Sequence, residues 1–157
     1  MQLEYFQMLD SIVSLDDEIG EIEVRSKLPQ ESPVFQGHFP GMPLLPGVLL
    51  IETMAQTAGF LVLARTRFAQ MPFLAGVKQA KMRTFVEPGE PLEISATLEH
   101  DGSGFAMARA RIKREGKPVC DTQLTLKTLA FPNAEFADMI AERAKFLGMP
   151  ASYLPSA

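Results

Sequence analysis

Only two histidines occur among the 157 residues. One of them, His38, stands in the run Gly37-His38-Phe39-Pro40-Gly41, just ahead of an apolar stretch, Leu44 to Ala64, that a single carboxylate, Glu52, interrupts. A histidine exchanges its proton near neutral pH, and flanking glycine and proline fix the backbone while letting a ligand approach closely. A loop histidine more often does no more than hydrogen-bond its own backbone. Glu52 is harder to set aside, because an ionised carboxylate in apolar surroundings is costly unless it is paired, protonated or turned towards a polar pocket. Gln56 lies four residues on and shares its face of a helix. The two form either the polar part of a reactive site or a satisfied polar stripe at a subunit contact. Pro46-Gly47 adds a third element. The first N–H groups of a helix starting there lack internal acceptors and sit at the positive end of its dipole, where they polarise a carbonyl oxygen. A base, an acid and such a helix end together specify removal of a proton α to a carbonyl, with loss of a β-hydroxyl as water.

The patterning predicts the elements that must position these groups. Alternation over Tyr5 to Leu15 and Ile19 to Leu28 predicts two half-buried strands joined through Asp16-Asp17. From Pro29 to Pro46 the breakers recur too often for a long regular element, so a rigid ordered loop holds His38. Gly47 to about Gln70 lacks proline and is too long for a strand, which predicts a helix of about six turns, apolar almost all round. Leu44 to Ala64 approaches the ~20 residues that cross a bilayer. Glu52, Thr53, Gln56 and Thr57 break the apolar run near its middle, and amphipathic strands surround it, so a buried core helix is expected instead of membrane insertion. Strands follow at Phe73 to Val86, Leu92 to Glu99, Phe105 to Lys113 and Pro118 to Leu129, with turns at Glu87-Pro88-Gly89-Glu90, His100 to Gly104 and Arg114-Glu115-Gly116-Lys117. This is an α+β pattern, an antiparallel sheet curled around one long helix. A short amphipathic helix opens at Asn133, with Phe136, Met139, Ile140, Arg143, Phe146 and Leu147 at helical spacing and Gly148 as its stop. Residues 1–131 form the domain, and 132–157 a helix and tail packed on its outside. The sharper alternative has Phe136, Phe146 and Tyr153 covering an apolar channel or a partner surface.

Composition sets outer bounds. With 46% apolar and 22% charged residues the chain is an ordinary globular domain with one core. A net charge of -4 gives no general attraction to nucleic acid or anionic lipid. The single cysteine, Cys120, has no partner for a disulfide and no metal-ligand spacing, which points to a reduced setting, with no metal and no cofactor expected. The N-terminal residues have neither a basic start nor an apolar segment ending in small residues, so a cytoplasmic location is expected.

The stretch from Pro33 to Gly59 carries Gly37-His38-Phe39-Pro40-Gly41, then Pro46-Gly47, then Glu52, Ala55 and Gln56 in order. It resembles the signature of the FabZ-type 3-hydroxyacyl-[acyl-carrier-protein] dehydratases. Ala75-Gly76-Val77 and the run Val86 to Leu92 are similar to that family's next two strands, and the likeness covers roughly residues 1 to 130. It implies the hot-dog fold, a sheet wrapped around a central helix. By motif position it implies His38 as the base that takes the C2 proton and Glu52 as the acid that assists loss of the C3 hydroxyl. It also implies Gly47 as the helix-end donor to the thioester carbonyl, Gln56 as support for the acid, and Phe39 and Leu45 beside the substrate. The family pairs the histidine of one subunit with the glutamate of the other, which implies a homodimer, with assembly into a trimer of dimers open. Glutamate at 52, where FabA-type dehydratase-isomerases carry aspartate, implies dehydration without double-bond isomerisation. The acyl carrier protein bearing a 3-hydroxyacyl chain is the implied partner, with Lys78, Lys81 and Arg83 placed to meet its acidic surface. The family's His-Arg-Tyr-Pro-Phe run near the N-terminus is here Glu4-Tyr5-Phe6-Gln7-Met8-Leu9-Asp10, and the tail after Phe131 is longer than the common form. Other occupants of the same fold remain: a thioesterase, or an acyl-binding module without chemistry.

Overall fold

In the computed structural model, which describes residues 1–155, six strands form one antiparallel sheet. They are β1 (Ser11–Asp16), β2 (Glu21–Lys27), β3 (Met71–Met82), β4 (Pro91–Gly102), β5 (Phe105–Arg114) and β6 (Lys117–Leu129), in the spatial order β1-β2-β4-β5-β6-β3. Three helices accompany them: α1 (Pro33–Gly37), α2 (Gly47–Arg65) and α3 (Ala134–Phe146). The inner face of the sheet is written in the strands' two-residue period. On β2 it is Ile22, Val24 and Ser26, and on β5 it is Ala106, Ala108, Ala110 and Ile112. The alanines leave room for the large side chains of α2, whose Leu50, Met54, Ala58 and Leu61 share one core with them. By length and apolar composition α2 could cross a bilayer, yet 67% of its apolar 18-residue window is buried inside the protein. The apolar circumference predicted from sequence is covered by the curled sheet, as the hot-dog expectation required.

Local chemistry fixes the hairpins. The Asp16 carboxylate accepts the Glu18 and Ile19 N–H groups at 3.0 and 3.2 Å, closing the β1–β2 turn. Ser103-Gly104 and Glu115-Gly116 have φ of 56°, 80°, 50° and 75°, the paired positive angles that two-residue hairpin turns demand. Cys120 is buried on β6, and burial first, then the Asp121 charge, pushes its thiol up to about 11, with Arg83 pulling the other way. It serves as a small neutral core residue.

Four expectations about boundaries are corrected. The first strand begins at Ser11 and not at Tyr5. Residues Leu3–Tyr5 form a 3-10 turn, Phe6 takes a left-handed φ of 55°, and the chain doubles back through a Gln2–Gln7 bridge. Alternation alone does not reveal that reversal. The loop ahead of α2 contains a helical turn, α1, because Ser32 caps it by accepting the Val34 N–H at 3.2 Å and Pro33 is preset for a first helical position. The long helix stops at Arg65 instead of near Gln70, where Arg67 and Phe68 turn with φ of 49° and 61° and Phe68 tucks inwards. Finally, β3 runs from Met71 to Met82 instead of Phe73 to Val86, with its register broken by a bulge around Gln79 (φ 51°).

α3 follows its sequence signals. Asn133 accepts the Phe136 N–H at 2.8 Å as the cap, and Gly148 ends the helix region with a φ of 86°. Ala144 and Met149 join Leu63, Ala64 and Phe68 in a second apolar cluster, against which Ile12, Leu15 and Ile140 also pack. The helix therefore lies across the C-terminal half of α2, next to β1.

Candidate active site

α1 delivers His38. The residue closes that helical turn by donating its backbone N–H to Val34 at 3.1 Å. Phe39 and Met42 then exchange backbone hydrogen bonds at 3.0 Å each, a tight turn that Gly41 completes at a φ of 75°. Leu44 is bonded to His38 twice. Its N–H donates to the His38 carbonyl at 2.8 Å, and its carbonyl lies 2.9 Å from the ring Nδ1. A carbonyl has no hydrogen to give, so Nδ1 is the protonated nitrogen, and in the neutral ring the lone pair of Nε2 is left to accept a proton. The Phe39 ring stacks on the imidazole with centroids 4.0 Å apart. Leu44 and Leu45 are buried, and the Leu45 N–H donates to Val86 at 2.8 Å, so the loop is anchored in the core immediately behind the histidine.

Glu52 stands on the least covered face of α2, half-buried, with Gln56 one turn on. The Gln56 amide is fixed from three sides. Its Oε1 accepts the Met8 N–H at 3.2 Å, and its Nε2 donates to the Phe6 carbonyl at 2.6 Å and to Glu52 Oε1 at 2.8 Å. Because Oε1 is committed to Met8, the amide NH2 must face the acid. Glu52 Oε1 is thus an acceptor, and a proton carried by this carboxyl belongs on Oε2. The N-terminal strap from Phe6 to Met8, joined to α2 only through Gln56 in this network, is a part of the site that sequence reasoning missed. Bonds between residues about 50 apart leave no local signal.

Glu52 and Gln56 line a cavity of about 620 Å³ whose other walls are mostly apolar. It extends along α2 past Gly59 and Phe60 to Leu63, with Tyr5 and Phe6 on one side and Met71, Pro72 and Leu74 of β3 on another. α3 contributes Met139, Ile140 and Arg143, and Leu147 just past its end adds to the same wall. So the last helix does border a channel, but through those residues and not through Phe136, Phe146 or Tyr153; Phe146 is 75% exposed. His38, Phe39, Leu45 and Gly47 do not line this cavity. Within one chain the candidate acid lines this cavity and the candidate base does not.

Gly47 starts α2 behind Pro46, which supplies no side-chain cap. The three atoms nearest to a Cβ added at Gly47 all belong to the Met82 side chain, at an ordinary 3.6 to 3.7 Å. Those contacts leave room for a side chain, whereas a group approaching the helix end closely would favour glycine. Lys78, Lys81 and Arg83 are all exposed near the end of β3. Arg83 is engaged by Asp121 and also donates to the Lys81 carbonyl at 3.3 Å, while Lys78 and Lys81 form no ion pair among the described residues. β3 itself is an edge strand exposed along nearly its whole length, with Phe73, Leu74, Val77 and Met82 each more than 40% exposed.

Comparison with known proteins gives the family and the fold of the chain. The family model described as a FabA-like domain matches residues 1–123. The 3-hydroxyacyl-[acyl-carrier-protein] dehydratase FabZ of Latilactobacillus sakei is 39% identical over 120 residues, 75% of this chain and 84% of that one. The FabZ of Caldicellulosiruptor saccharolyticus is 33% identical, over 76% and 85%. Among solved structures, the dehydratase heterocomplex ApeI:P from Xenorhabdus doucetiae superposes with a TM-score of 0.63 at 17% identity, covering 86% of this chain and 90% of that one. A hypothetical thioesterase with coenzyme A from Streptococcus pneumoniae does so with 0.62 at 15%, covering 78% and 88%. At such identities the structural likenesses speak to the fold alone. The family model and the curated relatives go further: the chain belongs to the FabA-like family, with the FabZ-type 3-hydroxyacyl-[acyl-carrier-protein] dehydratases as its relatives.

Proposed function

We propose that this chain is a dehydratase that converts (3R)-3-hydroxyacyl-[acyl carrier protein] to trans-2-enoyl-[acyl carrier protein] in fatty acid biosynthesis, working in the cytoplasm as a homodimer. The observation that carries this reading is Glu52, oriented by Gln56, on the wall of a long apolar cavity. His38 Nε2 takes the C2 proton. Glu52 Oε2 gives its proton to the departing C3 hydroxyl, so that one water leaves and a C2–C3 double bond forms. The free N–H groups at the start of α2, beside Gly47, stabilise charge building on the thioester oxygen.

Two features support a site shared between subunits. His38 is not among the residues that line the cavity Glu52 borders, and the apolar β3 edge is the kind of strand that proteins cover with a partner. In this reading two copies pair along β3, and the His38 of one completes the site that Glu52 of the other begins. Lys78 and Lys81, near the same strand end and without ion pairs among the described residues, are the better candidates for meeting an acidic carrier. The charge of Arg83 is already engaged by Asp121.

The direct test is product analysis with 3-hydroxyacyl-carrier substrates. The expected product is the 2-enoyl thioester, with the thioester bond intact and one water lost. Release of free acid would instead assign a thioesterase, and binding without turnover an acyl-binding module.

A further inference from the structure

α3 lies outside the residues that match the FabA-like family model, which end at 123, yet it builds one wall of the cavity. It is fastened there by more than apolar contact. The Arg143 guanidinium donates to the Leu9 carbonyl at 2.9 Å, the Ile12 N–H donates to the Leu147 carbonyl at 2.7 Å, and Asn133 caps the first turn. Ile140 packs against the same cluster as Phe60 and Leu63, which are the cavity-lining residues of α2 furthest from Glu52. Along α2 the interval from Glu52 to Leu63 is about 16 Å at 1.5 Å per residue. At about 1.2 Å per extended bond, that accommodates roughly a dozen bonds of an acyl chain beyond the reacting carbons.

We propose that α3 is the terminal wall of the acyl cavity and sets the length of chain the enzyme accepts, with Met139 and Ile140 as the residues that the far end of the chain meets. This rests on the dehydratase reading above, with C3 of the substrate placed at Glu52. Met139 is 56% exposed at the outer side of the wall, so its substitution tests the cavity with little demand on the core. Ile140, half-buried, tests the inner side.

The experiment measures kcat/KM for 3-hydroxyacyl thioesters of four, eight, twelve and sixteen carbons with the parent enzyme, Met139→Trp and Ile140→Ala. Met139→Trp is expected to lower the ratio of long-chain to four-carbon kcat/KM by roughly ten- to two-hundredfold, the discrimination a hydrophobic pocket achieves. Ile140→Ala is expected to move the optimum to longer chains. A ratio unchanged in both variants, or a parallel fall at every length, would overturn the assignment of α3 while leaving the dehydratase reading in place. Failure of the parent enzyme to dehydrate any of the four substrates would remove both.

Discussion

His38→Ala is expected to reduce dehydration by about 10²- to 10⁴-fold, the contribution of a positioned general base, with the fold and the oligomer unchanged. The size of the effect follows from the loop. Leu44 holds Nδ1–H, so Nε2 is the free acceptor of the ring, and no histidine of the same chain lines the Glu52 cavity that could replace it. The expectation that the fold survives follows from the same geometry. Alanine removes one donor to the Leu44 carbonyl, but the backbone bond from Leu44 to His38, the Phe39–Met42 turn and the Leu45–Val86 bond do not depend on the imidazole. Enoyl thioester formation measured beside circular dichroism and size-exclusion profiles separates the two effects. Turnover near that of the parent enzyme would remove His38 from the chemistry.

Glu52→Gln is expected to cost most of the rate, again on the order of 10²-fold or more. The substitution isolates proton transfer from packing, because a glutamine at 52 keeps the size of the side chain and still offers an oxygen to the Gln56 NH2. The N-terminal strap stays tied to α2 through Met8 and Phe6. What disappears is the acidic proton on Oε2, so the loss falls on kcat with little change in KM. A variant that retained most of kcat would leave Gln56 and Glu52 as the polar stripe of a subunit contact.

The parts of this structure that could be read in the sequence are those whose cause is local. The proline-free apolar run became α2, the Ser103-Gly104 and Glu115-Gly116 pairs became tight turns, and Asn133 and Gly148 bounded α3. His38, Glu52 and Gln56 stood out because their residue types fit their neighbours poorly unless they work. What could not be read depends on contacts far apart in the chain. The reversal at Phe6 turned an expected strand into a strap, and that strap orients Gln56 across some 50 residues of sequence. The placement of Met139, Ile140, Arg143 and Leu147 on the cavity wall depends on where the whole helix docks, and the aromatic residues that drew attention on the same helix point elsewhere. The exposure of both faces of β3 was equally hidden, since the edge position of the strand depends on the order of the whole sheet.

Central to the account is a site completed by two subunits, His38 from one and Glu52 from the other. Co-expressing His38→Ala and Glu52→Gln chains in equal amounts tests this directly. In a mixed dimer one site loses both groups and the other keeps both, and half of randomly paired dimers are mixed. Activity of the mixture is therefore predicted to recover to about a quarter of the parent enzyme's, far above either variant alone, and pairing of dimers into larger assemblies does not alter that fraction. A mixture no more active than the average of the two separate variants would contradict the shared site and place His38 and Glu52 in the same subunit or outside the reaction.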